Sequence, residues 1–152
     1  MKNSPVVLMI LFTVAACQDH PSNGQKQAEE NAVNQNTTSG EFCYGQSKKR
    51  NTILLHIIQE GKVVSGDLIY KLPEKDKNSG IIKGEMHGDT LFANYEFMSE
   101  GVISDREVAF LKTHDGMVEG YGEMKDENGK MVFKDRSSLN FSGTVLKRMS
   151  CK

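Results

Sequence analysis

The sequence predicts an all-β domain: an antiparallel up-and-down meander of about eight strands, closed into a small barrel and lipocalin-like in layout. Three observations carry this. Seven polar clusters containing glycine punctuate the second two thirds of the chain; short segments rich in β-branched and aromatic residues lie between them; and none of these segments has a helical apolar period with caps. The clusters are Glu60-Gly61, Asn78-Ser79-Gly80, His87-Gly88-Asp89, Glu100-Gly101, His114-Asp115-Gly116, Asn128-Gly129 and Ser142-Gly143. Glycine supplies the positive φ that tight hairpins need, and Asn and Asp tolerate it.

The strands expected between these turns are 52–59, 62–72, 81–86, 90–98, 106–113, 117–125, 130–141 (bent or bulged) and 144–149. Alternation is clearest in 90–98, where Leu91, Ala93, Tyr95 and Phe97 oppose Asn94 and Glu96. The connections are too short for a Greek-key crossover, so a meander follows. Closing it removes the exposed edges. Eight strands enclose an interior that side chains fill or that holds one small ligand.

The N-terminus has a different composition. Lys2 and the free amine precede an uncharged apolar run over 6–16, with small residues before Cys17. That is a secretory signal pattern, too short to span a bilayer, which needs roughly 20 residues. Val14-Ala15-Ala16-Cys17 resembles the lipobox of bacterial lipoproteins. The resemblance implies cleavage after Ala16, a diacylglyceryl thioether on Cys17 and fatty acylation, palmitate among the chains, of its new amine. The expected location is the cell envelope. Gln18 rather than Asp follows the cysteine, which favours the outer over the inner membrane.

Residues 17–40 then form the lipidated cysteine and a tether, whose only apolar residues beyond the cysteine are Ala28, Ala32 and Val33. Such a stretch cannot bury enough surface to offset its ordering entropy. As a random coil it spans roughly 25–30 Å. The barrel domain is expected over 41–152. Before Glu41 stand Lys2 and Lys26, and Asp19, Glu29 and Glu30, so 19 Lys/Arg and 20 Asp/Glu reduce to 17 of each in the domain. A neutral domain gives no electrostatic reason to expect nucleic acid. Lys48-Lys49-Arg50 reads as a solvated basic run before a strand.

With Cys17 assigned to lipid, Cys43 and Cys151 remain, just before the first expected strand and just after the last. In a closed eight-strand meander these positions are neighbours at one end, so a disulfide is expected, and export permits it. The tether leaves from that end too, which would point the His87 and His114 turns away from the membrane.

No motif announces chemistry. His87 and His114 share one end but supply two ligands, fewer than a structural zinc site takes, so no metal is expected. Asp76-Lys77-Asn78 opens like a calcium loop, yet its twelfth position is His87 instead of Glu. The methionines are scattered and read as gap-fillers. No elbow or activated nucleophile marks a serine, and neither cofactor nor catalysis is expected. The densest polar cluster runs from Ser99 through Glu100 to Arg106 and Glu107. If Val108 and Phe110 face inward, Arg106 does too and calls for a carboxylate from Glu96, Asp67 or Glu119; if Ala109 and Leu111 face inward, Glu107 inherits the problem.

Phe42-Cys43-Tyr44, the segment from Gly66 to Ile81, Ser99-Glu100-Gly101 and Arg106 to Phe110 together resemble a group of small bacterial lipoproteins with a β-barrel domain. That resemblance implies no particular activity. More distantly, the layout is similar to the membrane-bound inhibitors of c-type lysozyme, lipid-anchored eight-stranded barrels with a disulfide. Their S-G-x-x-Y segment is missing here, since Ser65-Gly66-Asp67-Leu68-Ile69 lacks the aromatic, and with no tryptophan the lipocalin G-x-W is missing too. The expectation is a non-catalytic module anchored to the membrane by lipid. It binds a small apolar ligand inside the barrel or a protein at the distal turns, the alternative being an inhibitor of a wall-degrading enzyme.

Overall fold

A computed structural model describes residues 38–48, 51–73 and 77–151, within the compact unit Gln35–Lys152. The leader, Cys17, the tether up to residue 37 and Asp76 lie outside the described residues. Among the described residues no helix is long and apolar enough to cross a membrane.

Ten strands form one sheet: β1 (Ser39–Lys48), β2 (Asn51–Glu60), β3 (Val63–Lys71), β4 (Asn78–His87), β5 (Thr90–Ser99), β6 (Val102–Thr113), β7 (Gly116–Gly120), β8 (Met124–Glu127), β9 (Lys130–Phe133) and β10 (Val145–Met149). Eight of them, β1 to β7 and then β10, close an antiparallel barrel in meander order. The seam is β1 against β10, where Cys43, Tyr44 and Gly45 face Met149, Arg148 and Lys147.

The expected architecture holds, with two of its strands reassigned. The first wall strand is β1, which begins at Ser39 and carries Cys43 in its middle rather than before it. Its signal is weak because only Phe42 and Tyr44 alternate among small and polar residues. The expected strand 130–141 is not in the barrel. It divides into β9, a 3-10 turn at Arg136–Ser138 and an isolated bridge between Tyr121 and Asn140. β8 and β9 form a hairpin that runs beside β6, where Asp105 and Arg106 pair in parallel with Lys130 and Met131. The hairpin takes the place along β6 that β7 vacates by ending at Gly120.

Adding a strand at the front reverses which end is which. Ser39 pairs with Glu60, and the Gly61 N–H donates to the Thr38 carbonyl at 3.1 Å. The chain therefore enters the barrel at the end that carries the His87 and His114 turns, correcting the expectation that these turns lie opposite the tether. This is called the entry end. The distal end carries the Lys48/Asn51 pair, the start of β4, the Ser99–Val102 turn and the hairpin tip.

The interior is built from alternate residues of each strand. Tyr44, Leu55, Leu68, Ile82, Leu91, Tyr95, Val108, Phe110, Met117 and Leu146 are all buried in one cluster. Burying each such side chain stabilises by about 1.5–3 kcal/mol. On β4 the backbone of β5 approaches too closely for a side chain: a Cβ at Gly80 would overlap the Glu96 carbonyl and one at Gly84 the Phe92 carbonyl.

Candidate functional site: a cation at the distal mouth

Arg106 faces inward with Val108 and Phe110, so the first of the two registers is the real one. Its cross-strand partner on β5 is Tyr95. The guanidinium carbon stands 5.3 Å from the ring centre of Tyr70, 5.7 Å from Tyr95 and 5.6 Å from Phe97. Tyr95 stacks on Phe97 with centres 4.7 Å apart, and Tyr70 tilts against Tyr95 at 6.0 Å. Three ring faces turned towards one guanidinium attract it through their quadrupoles. The Nε of Arg106 is buried and has no hydrogen-bond partner among the described residues.

Of the three carboxylates considered for Arg106, only Glu119 is inside, 7% exposed on β7. Asp67 and Glu96 are exposed. Glu119 accepts from the Tyr70 hydroxyl at 2.6 Å and from the Tyr121 hydroxyl at 2.9 Å, so both its oxygens are engaged. Arg106 thus keeps donors for something else, with the carboxyl nearby to balance its charge.

Glu107, on the opposite face of β6, is buried as well, at 6% exposure. Its carboxylate forms an ion pair with Arg136 and accepts the Phe133 N–H at 2.9 Å. Arg136 in turn lies 4.8 Å from the Phe92 ring centre. The hairpin and the 3-10 turn lay a second layer over the outer wall here. Of the two residues singled out in the sequence, Glu107 is buried on the outer side of the wall, and Arg106 is half-buried inside the barrel with its Nε enclosed. Glu100 has a simpler role. With φ 50 before Gly101 at φ 78, it is a hairpin-turn residue, exposed to solvent.

Burial and the nearby carboxyl shape the tyrosines. Desolvation first, then the charge of Glu119, pushes the Tyr70 hydroxyl well above the usual value. Tyr95 and Tyr121 are pushed up to about 12, burial again leading and Arg106 opposing. The Tyr121 ring is largely exposed, but its hydroxyl reaches in to Glu119. Tyr44 is raised by burial against the opposing charge of Arg148. These are the chain's four tyrosines. A phenol whose folded value is raised contributes stability that is full below the unfolded value of about 10 and is lost as pH climbs through the folded value. In a spectrophotometric titration Tyr70, Tyr95 and Tyr121 of the folded protein are expected to add no tyrosinate step near pH 10, with Tyr95 and Tyr121 ionising towards about pH 12. A full step near pH 10 with the far-ultraviolet signal intact contradicts this.

A second cluster escaped sequence reading. On the outer wall, Cys43 and Cys151 form a disulfide with Cα atoms 5.2 Å apart, as expected from their placement. Beside it His56 is clamped between Glu41, 2.8 Å from Nε2, and Asp67, 3.2 Å from Nδ1. The bond to Asp67 and then the Glu41 contact raise the imidazole above its ordinary value, against partial burial. A groove of about 400 Å³ opens here, floored by Leu54, Ile69 and Met149. Its only signal in the sequence is register: Cys43 opposes His56, and His56 opposes Asp67, on three successive strands. His87 and His114 share the entry end but join no metal-ligating group among the described residues, and His114 is fully exposed beside Asp115.

No family model matches the chain, and no curated protein or solved structure matches it.

Proposed function

We propose that this protein is a lipid-anchored, non-catalytic binding module of the cell envelope, held at Cys17, which recognises a partner protein with its distal rim. One observation carries the reading. Of nine exposed large apolar side chains among the described residues, Met98, Val102, Ile103 and Met131 lie at the distal end, and Ile103 and Val102 are the most exposed of all at 68% and 63%. Met98 and Ile103 are cross-strand partners, so they form one patch. Exposed apolar patches rimmed by polar groups mark interaction sites.

The packed core cluster weighs against an enclosed apolar ligand and towards surface recognition. Arg106 sits just within the rim, cradled by rings and with an unpartnered donor. A partner that brings an acidic group flanked by apolar side chains satisfies both features. A leash reaching the barrel at its entry end leaves this rim facing away from the bilayer.

Two variants test the proposal. Cys17→Ser is expected to move the protein from the membrane to the soluble fraction; retention in the membrane contradicts the anchor. Ile103→Asp is expected to cut partner capture from an envelope extract by at least tenfold, whereas equal capture by both forms contradicts recognition at the rim. Inhibition of a c-type lysozyme by micromolar protein, undiminished by Ile103→Asp, would instead favour the inhibitor reading.

A further inference from the structure

The cluster on the outer wall has the makings of a metal centre that its own disulfide closes. One ligand atom each from Cys43, His56 and Cys151 lies within 4.8 Å of the others. They come from β1, β2 and the residues after β10, so the barrel seam itself assembles them. His56 carries a carboxylate on each ring nitrogen, Glu41 on Nε2 and Asp67 on Nδ1. Metal-bound histidines characteristically donate their other N–H to a carboxylate, which fixes the ring and raises its basicity. Two sulfurs, one imidazole nitrogen and a carboxylate oxygen are a donor set for tetrahedral zinc. The adjoining groove gives an ion a route in from solvent.

We propose that, once the disulfide is reduced, Cys43, Cys151 and His56 bind a thiophilic divalent cation of the zinc class. The step balances with a dithiol as co-reactant. Two electrons from the dithiol cleave the S–S bond, its own sulfurs join as a disulfide, and its two protons pass to Cys43 and Cys151. The cation then displaces to solvent both thiol protons and the N–H proton of one imidazole nitrogen, and forms two metal–sulfur bonds and one bond to that nitrogen. That nitrogen gives up its carboxylate, which becomes the fourth ligand, while the other nitrogen keeps its own. A disulfide oxidant takes two electrons from the two thiolates and, with two protons from solvent, leaves as a dithiol. The Cys43–Cys151 bond re-forms and the ion is expelled, so the seam is held by a covalent bond or by a metal, according to the redox poise of its surroundings.

Cobalt(II) reports the site. The full chain carrying Cys17→Ser, which leaves Cys43 and Cys151 as its two cysteines, is reduced with a phosphine, desalted without oxygen and titrated with Co²⁺. The expected result is a thiolate-to-cobalt charge-transfer band saturating at one equivalent and bleached by Zn²⁺, with no band from the oxidised chain. His56→Ala is expected to weaken binding at least tenfold. Asp67→Asn and Glu41→Gln, which alter the groups that orient the imidazole, are expected to weaken it about 10–100-fold or less. A reduced chain without the band, or equal affinity in His56→Ala, overturns the proposal. Because reduction loosens the seam, unfolding temperature provides the second readout. Zn²⁺ is expected to raise it in the reduced chain and leave the oxidised chain unchanged; cobalt binding with no such rise overturns the proposal as well, since two thiolates on an unfolded chain would give that result.

Discussion

Replacing Cys43 and Cys151 together by serine is expected to lower the unfolding free energy by about 4–5 kcal/mol, the chain-entropy value for a bridge that closes a very long loop. Here the two cysteines are 108 residues apart. For a domain of this size that corresponds to a fall of roughly 15–25 °C in unfolding temperature. The location of the bridge makes the effect local too. β1 pairs with β2 over ten residue pairs, whereas β10 is held by only three to β1 and three to β7, so β10 is the barrel's most weakly held strand. Without the bridge the seam should open first, and amide exchange should quicken at 43–45 and 145–149 before the rest of the wall responds. A reductant should reproduce the double variant in metal-free buffer. An unfolding temperature indifferent to reduction contradicts the account.

The second large effect is at Glu119. Truncation to alanine removes the acceptor for the buried Tyr70 hydroxyl, leaves a void in the core and takes away the carboxyl near Arg106. Together these are expected to cost about 3–5 kcal/mol. Glu119→Gln keeps an acceptor and a similar volume, so it should recover a good part of that loss. In Glu119→Ala the Tyr121 hydroxyl loses both its bond and the neighbouring charge. Its ionisation should then move down towards the ordinary tyrosine value, which a purely structural defect elsewhere would not produce. Denaturant unfolding of the two variants measures the first claim and alkaline titration the second. Equal stability of Glu119→Ala and the native chain contradicts both.

Why some of this was legible in the sequence and some was not is clear from particular residues. The glycine turns are local chemistry, and Glu100-Gly101 and Asn128-Gly129 both adopt the positive φ that their residue types imply. The meander, its closure and the disulfide follow from such turns and from cysteine placement. β1 was missed because an alternation carried by Phe42 and Tyr44 alone is too short to stand out against small and polar neighbours. That one omission inverted the ends of the barrel, since an extra antiparallel strand reverses where the chain enters. Arg106 and Glu107 were visible as a conflict of register, because any inward-facing charge on a barrel strand demands a partner. The conflict ended with Arg106 half-buried inside and Glu107 buried outside, since the Phe133 N–H and Arg136 close over the Glu107 carboxylate. Nothing in a period-two pattern foretells a second layer. The His56 clamp depends on how β1, β2 and β3 are staggered, a long-range property that no single segment contains.

The central claim is that the distal rim recognises an acidic partner through Arg106, and the resonance of its Nε–H tests this most directly. In a nuclear magnetic resonance titration of the Cys17→Ser chain with inorganic phosphate, and separately with a medium-chain carboxylate, the account predicts a saturable shift of the Arg106 Nε–H. The carboxylate should bind more tightly because its alkyl chain can cover Val102, which shares the inward face of β6 with Arg106. In Arg106→Met, saturable shifts at neighbouring amides of β5 and β6 should vanish. An Arg106 signal that stays fixed at millimolar anion, or shifts that persist in Arg106→Met, would show that this cation only holds the barrel together.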